Sequence, residues 1–77
     1  PAPPGSAFIG DVGLTGELKK VPGLEARVRE LDRMGFDRVF VPAGALREFS
    51  PGKLRVCECK TLIELLEKLF QFHRNTG

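Results

Sequence analysis

Seventy-seven residues, 42% of them hydrophobic and 29% charged, bound this chain to one small folded domain, near the lower size at which a core sustains itself. That balance excludes a disordered polyelectrolyte, and no apolar run approaches the ~20 residues needed to span a membrane. Twelve lysines and arginines against ten acids leave a formal charge of +2, too mild to declare a nucleic-acid partner by itself.

Residues 1–6 begin Pro1-Ala2-Pro3-Pro4, lack periodicity and read as a linker or frayed arm. With no opening methionine, the chain reads as a piece of something longer. Phe8, Ile9 and Val12 predict a strand over residues 7–12, where Gly10 marks a bulge or a close backbone approach. Gly13 and Gly16 bracket Leu14-Thr15 and can supply the positive φ of a hairpin. Alternating polarity over residues 17–21 predicts the returning strand, stopped by Pro22-Gly23. Asp11 and Glu17 then lie on adjoining strands, where pairing with Lys19 or Lys20 is more ordinary than acid–base work. The three glycines are spaced G-x-x-G-x-x-G, with no Gly-Lys-Ser/Thr and no helix following, so they are not a nucleotide loop.

Leu24, Val28 and Leu31 recur at helical spacing and predict a helix over residues 24–34, stopped by Gly35. Glu25 and Arg29 form an i,i+4 pair on it. Arg27 flanks the apolar stripe, so its stem can cover apolar surface while its head reaches water. Phe36 is placed to pack back on the helix end. Residues 38–41 predict a strand with Val39 and Val41 on one face and Phe40 on the other, which suits a central strand covered on both sides. Pro42 ends it. Residues 43–53 read as a loop, anchored by Leu46 and Phe49 and turned at Ser50-Pro51-Gly52.

Residues 54–59 form a fourth strand, setting Leu54, Val56 and Glu58 against Arg55, Cys57 and Cys59. A Cys-x-Cys pair on a strand shares one face, is badly placed for a disulfide and is too few for zinc. Buried thiols in a reducing, cytoplasmic compartment are the plain reading. Thr61 and Glu64 fit a capping box opening a second helix that runs to about residue 72. Leu62, Leu65, Leu66 and Leu69 form its stripe, widened by Ile63 and Phe70, and Glu64–Lys68 is a second i,i+4 pair. His73 stands at the helix end, in favourable contact with its dipole, and residues 73–77 read as a polar tail. The order ββαββα makes an α+β domain over residues 7–72, a small mixed sheet with two packed helices. So small a core predicts an exposed apolar face or association with another copy.

Residues 9–27, running Ile9-Gly10-Asp11-Val12-Gly13-Leu14-Thr15-Gly16-Glu17-Leu18 onward to Arg27, match a strand–turn–strand–helix pattern without a gap. Met34-Gly35-Phe36-Asp37-Arg38-Val39-Phe40-Val41-Pro42 extends the match. Both stretches resemble the C-terminal Lon-protease-like domain of the RadA (Sms) family of bacterial DNA-repair ATPases, of which this chain would be the second half. In the Lon superfamily a serine attacks peptides with a lysine as base. The resemblance puts that lysine at Arg27 and an active-site threonine at Ile9, with the serine upstream. A guanidinium stays protonated at any working pH, so the resemblance implies a proteolytic fold without catalytic residues. Arg27 then serves either as an anion or subunit contact or as a plain surface arginine.

By the same resemblance the parent would be a RecA-type ATPase in recombination and branch migration, forming a hexameric ring on DNA. ATP and magnesium would sit only in its upstream module, leaving this fragment without cofactor, metal or membrane partner. Lys19, Lys20, Arg29 and Arg33 are the candidate DNA contacts, with Lys53, Arg55 and Lys60 as further cations. No aromatics alternate with them, so a base-stacking platform is not indicated. Two other readings stand beside this one: a fragment of an active peptidase using Lys19 or Lys20, and a small protein-binding module held by its second helix.

Overall fold

Apolar side chains on both sides of residues 38–41 demand cover on both faces, and the fold supplies it. The computed structural model describes residues 5–46 and 52–76, with residues 72–76 by their backbone alone. The elements are β1 (Ser6–Phe8), β2 (Asp11–Val12), β3 (Leu18–Lys19), α1 (Leu24–Arg33), β4 (Arg38–Pro42), β5 (Arg55–Cys59) and α2 (Leu62–Thr76). β4 is the middle strand of a parallel sheet of order β1-β4-β5, and β2 and β3 form a separate antiparallel ribbon. The α+β class, with parallel and antiparallel pairing and two helices, is as the sequence predicts, the two kinds of pairing being divided between the sheet and the ribbon.

Strand alternation sorts the core into two clusters. Val39 and Val41 join Ile9, Leu24, Val28 and Leu54 beneath α1, while Phe40 joins Cys59 and Leu65 beneath α2. Leu54 and Val56 face the α1 side, and Cys57 faces the α2 side with Cys59. Both thiols are free.

The predicted strand over residues 7–12 is broken in two. β1 pairs with β4, and β2 leaves the sheet to pair with β3, placing Asp11 opposite Lys19. The break falls at Gly10, where a Cβ would stand 3.0 Å from both the Phe8 ring and Pro42. Gly10 is therefore the close backbone approach that its position in a strand suggests. In the turn, Gly16 has the positive φ of 89°, but Gly13 does not. A Cβ at Gly13 would meet the Glu17 carboxylate, the movable end of a flexible side chain. The returning strand is also shorter than predicted. Glu17 pairs singly with Thr61, the Leu18 amide donates to the Lys60 carbonyl (2.9 Å), and the Leu62 amide donates to Gly16 (2.8 Å). These bonds stitch the ribbon to the start of α2.

α1 ends in a Schellman motif. The Phe36 amide donates to the Leu31 carbonyl (3.0 Å) and Gly35, at φ 87°, donates to Asp32 (3.2 Å). Phe36 and Leu31 pack on the same core cluster, as does Leu46. Pro42 closes β4 from inside the strand. The anchor assigned to Phe49 and the turn at Ser50-Pro51 lie outside the described residues, as do residues 1–4 of the arm. Ser6 belongs to β1, and the Gly5 carbonyl accepts from the Asp37 and Arg38 amides.

The cap of α2 differs by one residue from the pattern. Thr61 Oγ1 accepts from the Glu64 amide (3.1 Å), but Glu64 reaches back to the Lys60 amide (2.6 Å), one position before the cap residue. The helix also continues to Thr76, so residues 73–76 are helical backbone and not a tail. No glycine or proline interrupts residues 62–76, so nothing local stops it at 72. Among the described residues no helix is long and apolar enough to cross a membrane.

Candidate functional site

Ile9 and Arg27 occupy opposite environments. Ile9 is buried against Leu24 and Val28, and its amide donates to the Phe40 carbonyl (3.0 Å). Arg27 is exposed on α1, its backbone amide bonded to Gly23 within the first turn. The fold therefore puts one of these positions in the core and the other at the surface.

Lys19 and Lys20 are exposed on and just after β3, and Arg29 and Arg33 are exposed on one side of α1, four residues apart. Lys19 stands 3.8 Å from Glu17, and Arg33 pairs with Glu30. Glu17 is held below the usual carboxylate range by the Thr15 hydroxyl, then by backbone amides, with Lys19 contributing least. The ribbon carries Lys19 and Lys20 and α1 carries Arg29 and Arg33, as two pairs on different elements. Lys20 borders a cleft of about 490 Å³ with residues 21–26 and Ala45, at the start of α1.

A second cleft, of about 390 Å³, is lined by Asp37, Arg38, Lys53 and Arg55. Its cations come from two strands and the loop between them, so linear spacing does not gather them. The available signal was strand alternation with register: Arg38 and Arg55 are direct partners in the β4–β5 ladder. Lys60 is exposed at the start of α2, and its amide serves the cap. Among the described residues no group of three or more His, Cys, Asp or Glu could hold a metal ion.

The thiols are not a reactive centre by geometry. Burial pushes Cys59 above the ordinary thiol value, and Lys68 offsets that only in part. Cys57 is half-buried and accepts a long contact from an Arg38 guanidinium nitrogen (3.6 Å).

The arrangement is thus that of a small α+β segment with exposed lysines and arginines. No family model matches the chain. Its sequence nevertheless has clear relatives, and they make it a segment of the RadA family. It is 35% identical over 71 residues to the DNA repair protein RadA of Streptococcus pneumoniae, 91% of this chain and 17% of that protein. It is 48% identical over 46 residues to that of Bacillus subtilis, 60% of this chain and 10% of the relative. With the Listeria monocytogenes protein it shares 39% over 62 residues, 79% of the chain and 14% of the relative. The chain spans less than a fifth of the length of these curated relatives.

Proposed function

We propose that this segment is a non-proteolytic, Lon-like module of a RadA-type DNA-repair protein, one that contacts DNA and helps subunits associate. The similarity over 71 residues to a protein named for DNA repair carries the reading. Arg27 supports the non-proteolytic part. Arg27, exposed in this segment, carries a guanidinium that stays protonated at any working pH and cannot take a proton from a nucleophile. Lys19 and Lys20, the displaced bases of a peptidase reading, are likewise exposed, and Lys19 lies beside Glu17.

The subunit role is supported by α2. Its Leu65 is buried, but Ile63, Leu66 and Phe70 remain 70%, 53% and 61% exposed along one side. Side chains of that size, set in a row, suit a further apolar surface. The parent would supply ATP and magnesium chemistry from its upstream module, in the cytoplasm, and assemble as a ring on DNA.

The test uses the full-length parent, with and without residues 1–77. We expect oligonucleotide affinity, read by fluorescence anisotropy, to fall on deletion, with no peptide cleavage by either form. Cleavage of an unfolded substrate that disappears with Lys19→Ala or Lys20→Ala would overturn the reading. Undiminished DNA affinity, with Leu66→Glu releasing a bound protein partner, would favour the partner-binding module.

A further inference from the structure

The corner formed by Arg38, Lys53 and Arg55 stands apart from the rest of the charged surface. Parallel register sets Ser6, Arg38 and Arg55 in one row across all three strands, on the α2 side of the sheet. Neighbouring strands lie about 4.8 Å apart, so two guanidinium-bearing residues start side by side. Like charges directly opposite destabilise a sheet. The backbone gives them little room to separate: the Arg38 amide donates to Gly5 (3.2 Å) and the Arg55 amide to Asp37 (3.1 Å).

Lys53 joins them from the preceding loop, and among the described residues the three line one cleft with Asp37 as its only acid. Neither Lys53 nor Arg55 has an acidic partner among the described residues. Among the described residues the cleft is lined by three cations and one acid. Elsewhere the arrangement is more ordinary. Lys19, Arg33 and Lys68 all sit beside glutamates.

We infer that the Arg38–Lys53–Arg55 cleft binds a phosphate group, that of a nucleic-acid backbone. Arginine's planar fork matches phosphate oxygens in two-point hydrogen bonding, and a lysine adds a mobile point charge. A volume of about 390 Å³ admits a phosphodiester with its sugar. Contact of this kind ignores base sequence and depends on salt. The inference rests on the DNA-contacting reading and specifies where the contact lies, at a place other than the Lys19–Lys20 and Arg29–Arg33 pairs.

The test is made on the full-length parent protein. Affinity for a fluorescent single-stranded oligonucleotide is measured against salt for the native protein, Lys53→Ala/Arg55→Ala and Lys19→Ala/Lys20→Ala. Both lost cations are exposed, and Lys53→Arg/Arg55→Lys keeps the charge as a folding-neutral control. We expect the Lys53/Arg55 variant to bind about tenfold more weakly or worse, the loss expected when hydrogen bonds to a charged group are removed. Its slope of log affinity against log salt should flatten by about one for each cation lost. The charge-keeping variant should hold the native slope, and the Lys19/Lys20 variant should fall less than the Lys53/Arg55 one.

A parallel arm titrates inorganic phosphate at fixed ionic strength and follows the thermal midpoint. Native affinity and slope in the Lys53/Arg55 variant would overturn the inference and leave the DNA-contacting reading standing. If the native protein ignores the oligonucleotide but inorganic phosphate raises its midpoint, and not that of the Lys53/Arg55 variant, the cleft takes free phosphate and the DNA reading falls. No response in either arm removes both.

Discussion

Single side chains carry much of what holds this small fold in register. Thr61 caps α2 through its hydroxyl, so Thr61→Ala should cost about 1 kcal/mol, read by denaturant unfolding. Glu64 completes that cap, and the Lys60 amide, followed by Lys68, holds its carboxyl below the usual range. A carboxyl lowered on folding stabilises the protein above its unfolded pKa, and that contribution is lost as pH falls through the folded value. The thermal midpoints of the native protein and Glu64→Gln should therefore differ at neutral pH and converge below about pH 4. The thiols should separate in labelling. Cys59 is fully buried and shifted toward the protonated form, so iodoacetamide should modify Cys57 first and reach Cys59 only on unfolding. Equal labelling rates in the folded protein would contradict that assignment.

At the level of elements, α2 has two unequal sides. Leu65 is 7% exposed and packs on Phe40 and Cys59, whereas Leu66 beside it is 53% exposed. Leu65→Ala should cost about 2–5 kcal/mol, and Leu66→Ala should change stability by less than about 0.5 kcal/mol. Chemical denaturation of both variants decides the point. Helices and β4 were legible in the sequence because a period of 3.6 or 2 survives in Leu24–Val28–Leu31 and in Val39–Phe40–Val41. The break of the first strand was not, because it follows from Gly10 passing close to Pro42, a contact between residues far apart in the chain. Likewise nothing local announces that the Asp32 carboxylate accepts from the Gly52 and Leu54 amides, tying the β4–β5 crossover to the end of α1. The candidate cations fared the same way. Adjacent or helically spaced pairs could be seen, while the Arg38–Lys53–Arg55 cleft needs the β4–β5 ladder to exist first.

For the molecule as a whole, β4 takes one neighbour from the start of the chain and the other from its second half: Ser6 and Arg55 both align with Arg38. Neither half can complete a hydrophobic layer alone, since the cluster under α1 draws Ile9 from one side and Leu54 from the other. Pairings of such wide sequence separation raise the loop-closure cost before any contact compensates for it. During synthesis, then, this segment should stay open to proteases until β5 and α2 have cleared the ribosome, and close afterwards in a single cooperative step. A stalled nascent chain ending before residue 54 should be cut as readily as an unstructured peptide, while one extended well past α2 should resist.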